Sequence, residues 1–515
     1  MTRWARRQPA RLVALAAMAC SLLLVSDTPH AADLTGVAQL GSVYDLILNT
    51  RFDQADQALK SACGPAPGEA CQVLGATATW WRILLDPNDT SSDAVFSSRV
   101  DEAIAACERW TSGEPERAEA WFYLGAAYGA RVSFHVQRGQ RMAAARDGKR
   151  IKESLERALA LDPRMDDARF GVGLYKYYAD IAPAVAKFLR FLLLLPGGDR
   201  VEGLRDMEAV HQRGTLLRGE ADYQLHWIYL WYENQPRRAA GLLQGLHERY
   251  PANPHFVQRL ADIDEQYFRD SAASLGRWQS MVDQSAKMGD PALAEVQGRL
   301  GLSVELDALA ESDRALAEVD RVRALAPHKP YGALARAELL RGRLLDRLGR
   351  RADAEAAYAA AAAAVPTGDP DGIAEKARAG LRARPDAAAG EAYRTSLAGW
   401  RAYEHGSITE ARAALNRAVS LAPDDLMIRA RRGRVAAAGN DPTVALADFD
   451  AVIGQRAPAN PVALSAAYLW SAELLASRGD LENARARYRA ATHVFAGDSR
   501  LARTASRALE RLGAK

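Results

Sequence analysis

Residues 120–163 read A-W-F-Y-L-G-A-A-Y-G-A-R-V-S-F-H-V-Q-R-G-Q-R-M-A-A-A-R-D-G-K-R-I-K-E-S-L-E-R-A-L-A-L-D-P. Trp121, Leu124, Gly125 and Tyr128 recur at i, i+3, i+4 and i+7, which places them on one face of a helix. Gly125 leaves that face open to a second helix, and Leu155 and Ala158 are suited to fill it. Pro163 ends the second helix. The product is a helical hairpin with one apolar face, and such a hairpin cannot bury that face alone. It needs neighbours stacked on both sides.

The spacing W-x2-L-G-x2-Y followed by A and P resembles the tetratricopeptide repeat, a helix–turn–helix unit of about 34 residues. Weaker copies run along most of the chain. Ala55, Leu59, Ala62 and Pro67 take the second-helix positions of one; Tyr223, Leu230, Ala239, Leu243, Leu246 and Pro251 those of another. Gly399, Ala411, Leu415, Ala418 and Pro423 are followed one repeat length later by Gly433, Ala445 and Phe449, with Pro458 one position further on. The resemblance implies an all-α, right-handed α-solenoid and a scaffold that binds proteins or peptides along its first helices. It implies neither an enzyme nor a cofactor. From Trp121 to Pro163 the quoted hairpin exceeds the usual repeat by about four helical turns. Two extra turns on each helix accommodate the excess; a loop around Gly139 and Gly148 is the alternative.

The chain has 515 residues, too many for one core, whereas a solenoid grows in one dimension. Arg3, Arg6, Arg7 and Arg11 precede an apolar run, Leu12 to Val25, which is too short to span a bilayer. Residues 1–32 therefore read as an export signal, and the expected location is the periplasm or cell envelope, with no transmembrane span in the mature chain. The signal carries four Arg and one Asp, so the whole-chain charge of +3 resides in it. The near-neutral remainder argues against a nucleic-acid partner. Cys63 and Cys71 flank a G-P-A-P-G-E-A turn and are expected to pair in an oxidising compartment; Cys107 is left over as a buried small hydrophobe. No cysteine or histidine spacing suggests a metal.

Boundaries follow from composition. Residues 33–290 form an aromatic-rich, degenerate array that holds seven of the nine tryptophans outside the signal. Within it, Ile181 to Leu195 reads as a core helix with Pro183 in its first turn. Residues 291–366 are Ala- and Arg-rich repeats, 367–390 a Pro/Gly/Asp-rich joint, and 391–515 further repeats ending in a capping helix.

No catalytic motif is present; His211 and His226 near Glu220 and Asp222 are the one grouping that could do acid–base work. The rings of Leu174–Tyr178 and Tyr223–Tyr232 cannot all point inward. We therefore expect a partner-binding surface lined by Tyr175, Tyr178, Trp227 and Trp231, with Arg131, Arg138 or Arg141 at its edge. A ligand-binding or enzymatic pocket in the block 170–235 is the other reading. A broad groove of first-helix residues favours the scaffold, and a closed pocket of converging His and carboxylates favours the pocket.

Overall fold

A computed structural model describes residues 34–182, 197–455 and 460–513. The expected export signal and all but the start of the run Ile181–Leu195 lie outside the described residues. Among these there are 24 α-helices and no strand, arranged as an all-α helical-repeat solenoid.

Consecutive helices pair into hairpins. In order these are Val37–Leu48 with Phe52–Ala62, Gly68–Leu85 with Asp93–Gly113, Ala118–Gln137 with Arg141–Leu161, and Asp166–Ile181 with Arg200–Arg213. Then come Arg218–Trp231 with Pro236–Arg249, Pro254–Gln266 with Ser271–Gln284, Pro291–Ala308 with Ser312–Leu325, and Ala333–Arg347 with Arg351–Ala363. A single helix, Ile373–Arg382, interrupts the series. Ala387–Glu404 with Ile408–Leu421, Leu426–Ala438 with Pro442–Ile453, and Pro461–Ser477 with Leu481–Ala491 follow, and Ser499–Gly513 packs on the last pair.

Local chemistry starts these helices. Asn253, Asp290, Asp441 and Asn460 each cap a helix by accepting a backbone N–H, and each precedes a proline at the first helical position. Register within the hairpins comes from one close approach between a glycine of the first helix and a large side chain of the second. A Cβ on Gly342 would lie 2.5 Å from Tyr358, on Gly433 2.7 Å from Phe449, and on Gly399 3.0 Å from Leu415. In the quoted hairpin the same approach joins Gly125 to Leu155 at 2.5 Å, across a wider sequence separation. The additional length is shared between helices of 20 and 21 residues, with the turn at Gly139. The hairpin is thus longer by about two turns on each helix, not by a loop.

First helices of neighbouring hairpins touch each other, as Gly68–Leu85 does Ala118–Gln137 and Leu426–Ala438 does Pro461–Ser477, so the first helices line the inner face. That face is not an open groove along the whole array. In the N-terminal half the coil closes on itself. Trp81 packs against Tyr223 (5.2 Å between ring centres) and Phe256 (6.0 Å), and Asn253 Nδ2 donates to the Leu48 carbonyl at 2.8 Å. Arg51 reaches the Lys287 carbonyl at 2.7 Å. In the C-terminal half the turn 309–313 sits inside the array. Arg431 donates to the Ala310 carbonyl at 2.6 Å, Ser312 Oγ lies 3.0 Å from the Tyr393 hydroxyl, and Arg401 forks onto Asp313 at 2.8 Å.

The stretch read as a joint contains Ile373–Arg382, whose Ile373 and Ala377 are buried. Gly380 meets the Tyr358 ring, and Arg351 donates to the Gly380 and Leu381 carbonyls. Cys63 and Cys71 are disulfide-bonded across their turn with Cα atoms 5.9 Å apart, and Cys107 is buried, its thiol pushed up to about 12 by burial.

Candidate functional site

With both inner faces occupied, an open concavity remains where the two halves meet. It is a cleft of about 760 Å³. Four first helices supply most of its wall: Tyr223, Trp227 and Trp231 from Arg218–Trp231; His255, Arg259 and Asp262 from Pro254–Gln266; Leu300, Gly301 and Val304 from Pro291–Ala308; and Arg336, Leu340 and Arg343 from Ala333–Arg347. The turn 86–88, Trp278 and Lys376 complete it.

The aromatic anchor is Trp231, 58% exposed, with its ring centre 3.9 Å from that of Trp227. The Arg259 guanidinium carbon stands 4.1 Å over the Trp227 ring, and Arg259 also donates to Asp262 at 2.8 Å. Arg259, Trp227 and Trp231 therefore form a contact series, the two rings tilted by 41°, that ends in an exposed ring in the cleft wall. Behind it His255 Nε2 meets the Tyr223 hydroxyl at 2.9 Å. Burial, with Arg259 nearby, pushes the His255 imidazole down to about 3, so it is neutral at pH 7. The rim is tied across the seam by the Tyr331 N–H, which donates to Asp86 at 2.7 Å, and on the C-terminal side Arg336 pairs with Asp371 at 2.7 Å. Cationic Arg259, Arg336, Arg343 and Lys376 face acidic Asp86, Asp262 and Asp371, and burial raises the carboxyls of Asp86 and Asp262.

The structure divides the residues expected to share one surface. Trp227 and Trp231 are in the cleft. Tyr178 packs edge-on between Tyr177 (5.6 Å) and Tyr232 (5.7 Å), and Tyr175 lies beside Gly148, where an added Cβ would stand 3.9 Å from its ring. Neither tyrosine lines the cleft. Arg131 is bound to Asp147 and Asp101, both at 2.7 Å. Arg138 grips Asp93 and the Pro87 carbonyl, so it props the 86–88 rim from behind. Arg141 is exposed at the start of its helix. Several of the hairpin's other cations are paired too, as in Lys152–Glu156 and Arg157–Glu116.

The grouping of His211, Glu220, Asp222 and His226 does not converge. His211 and Arg249 both bind Asp222, His226 is buried with its Nδ1 on the Tyr223 carbonyl, and Glu220 accepts from Tyr44 and Trp81 at 2.7 Å. Among the described residues no cluster of three His, Cys, Asp or Glu stands at metal-binding spacing, and no helix is long and apolar enough to cross a membrane. Sequence reasoning missed His255, Arg259, Trp278 and the residues after 296. Arg259 sits on the first helix of the hairpin after the aromatic one, and its distance from Trp227 in sequence gave no periodic signal.

An array of stacked helical hairpins with a cleft lined by their first helices defines an all-α helical-repeat solenoid. Residues 396–461 match the tetratricopeptide repeat family. That segment covers the hairpins on either side of Pro423. Among solved structures the chain is similar to a tetratricopeptide repeat protein from Parabacteroides merdae, with 15% identity, a TM-score of 0.25, and coverage of 54% of this chain and 93% of that one. It is also similar to the tetratricopeptide repeat domain of P58(IPK), with 14% identity, a TM-score of 0.22, and coverage of 82% of this chain and 99% of that one. No curated protein matches the chain.

Proposed function

We propose that this protein is an exported, non-enzymatic scaffold of the cell envelope that holds a protein or peptide partner in the cleft between its two halves. The observation that carries this reading is the exposed Trp231, packed against Trp227, which Arg259 covers, in a cleft walled by first helices from both halves. Solvent-facing tryptophan in a concavity is a frequent anchor for a partner's apolar side chain. Its cationic neighbours suit an acidic residue beside that anchor. Export is supported by the Arg-rich start followed by Leu12–Val25 and by a disulfide of the kind that persists in oxidising compartments.

A photoreactive residue placed at 304, an exposed position in the cleft wall that leaves Trp231 intact, expressed with the native leader, tests the reading. The expected result is one discrete adduct in the envelope fraction, lost on Trp227→Ala and absent when the same residue is placed at 495, an exposed position outside the cleft. Equal labelling from both positions, or recovery of the uncleaved chain in the cytosol, overturns it.

A further inference from the structure

The N-terminal half holds a second concavity, separate from the cleft and unused by the reading above. It is about 110 Å³ in volume, with walls of Val73, Trp80, Phe122, Leu155 and Leu174. Engineered apolar cavities of about 150 Å³ remain dry and take up benzene or xenon, so the size suits a small ring system. Three features distinguish it from a packing fault. Gly129, in the middle of Ala118–Gln137, lines the space, and a Cβ there would meet nothing within 4 Å. The Tyr123 ring is fully buried on the wall, and its hydroxyl has no hydrogen-bond partner. Glu220 also lines the space. Its Oε1 receives both Tyr44 Oη and Trp81 Nε1 at 2.7 Å, and among the described residues Oε2 receives none. The Tyr123 hydroxyl is sealed within the wall, whereas a carboxylate oxygen of Glu220 without a donor can be completed by a guest in the space.

We propose that this cavity binds a small apolar molecule of about benzene to indole size that carries one N–H or O–H group, with that group donating to Glu220 Oε2. The aliphatic and aromatic walls take the ring system, and the Tyr44 and Trp81 donors already fixed on Oε1 orient the carboxyl so that Oε2 faces the guest. Specificity follows from the hydrogen bond: an isostere without the donor leaves Oε2 unpaired.

Calorimetric titration of the mature protein with indole and with its carbon isostere indene tests this. Expected are saturable one-to-one binding of indole and at least about tenfold weaker binding of indene. Gly129→Leu fills the space and abolishes indole binding while the melting temperature holds or rises, because leucine replaces glycine within a helix. Ala126→Leu, from the same wall, is the second filling variant should the first disturb the circular dichroism spectrum. Trp231→Ala leaves indole binding unchanged, which separates this site from the cleft. Absence of indole binding at millimolar concentration, equal affinity for indole and indene, or undiminished binding in both filling variants overturns the proposal.

Discussion

The two halves of the molecule close the same kind of coil with different chemistry. From residue 34 to about 289 the interior is aromatic. Trp81, Tyr223 and Phe256 meet from hairpins far apart in sequence, with the carboxyl of Glu220 pinned beneath them. From residue 290 onward the interior is mostly alanine, leucine and valine, and among the described residues one arginine, Arg431, is buried within it. Arg431 is fully enclosed, its guanidinium on the Ala310 carbonyl and its pKa lowered from the usual arginine range by burial, while Trp400 and Trp470 stack alongside at 5.3 Å. Ring packing is non-directional and tolerates small shifts, whereas buried guanidinium bonds demand a fixed geometry. One half thus closes on a cluster of rings, the other on small apolar side chains around a single enclosed guanidinium. The seam between two such closed coils is then what remains open for a partner.

The strongest test of the aromatic side is Trp81→Ala. Trp81 is fully buried, and truncation removes the ring on which Tyr223 and Phe256 rest and a donor to Glu220. A loss of about 4 kcal/mol in denaturant unfolding of the N-terminal half is expected, with the C-terminal half unaffected. A loss under about 1 kcal/mol would mean that the rings do not close the coil.

Next is the seam itself. Glu305 is buried, bonded on one oxygen to Ser274 at 2.8 Å, and pushed up to about 7 by burial, with Glu265 and Asp262 adding to it. The folded state therefore keeps a proton that the unfolded chain releases above its ordinary value of 4.5. Stability falls as pH rises from 4.5 to 7 and is level above that, by about 3 kcal/mol for this group. Glu305→Gln should match the parent near pH 4.5 and exceed it by about that amount at pH 8. Identical pH profiles would contradict this.

On the arginine side, Arg431→Ala strands the Ala310 carbonyl and the Ser396 hydroxyl and should cost about 2 kcal/mol, confined to the C-terminal half. Arg431→Met restores volume without the hydrogen bonds and should recover part of that loss. If the Met variant exceeds the parent in stability, the guanidinium is not what closes this half.

The smallest expected stability effect is that of Trp231→Ala, within about 0.5 kcal/mol, because the ring is exposed. Partner binding should nonetheless be lost. A stability loss of several kcal/mol would assign Trp231 to the core instead of the site.

Much of the local architecture was legible in the sequence. The W-x2-L-G-x2-Y spacing, the Asn-Pro and Asp-Pro starts and the excess length between Gly125 and Leu155 are all encoded within one hairpin. Periodicity reports which face of a helix is apolar and that its neighbour in sequence will cover it. It carries no information on a contact such as Asn253 to Leu48 or Arg431 to Ala310, where the partners lie 205 and 121 residues apart. For that reason the inner face read as an open groove, and Tyr178 and Arg131 read as surface groups although each has its own partners. Trp227 and Trp231 were recognisable because rings four positions apart on an already covered helix leave one ring outside.

Closure of the coil is the claim on which the cleft depends, and a spin-label distance measures it directly. Gln54 and Gln284 are both exposed and border the same surface hollow, although they belong to the first and the sixth hairpins of the array. Labels at these two positions should give a single narrow distribution at the short end of the measurable range. An uncoiled array would separate them by about 50 Å, five hairpin steps at roughly 10 Å each. A broad distribution centred there would contradict closure of the N-terminal half and, with it, the assignment of the seam as the site.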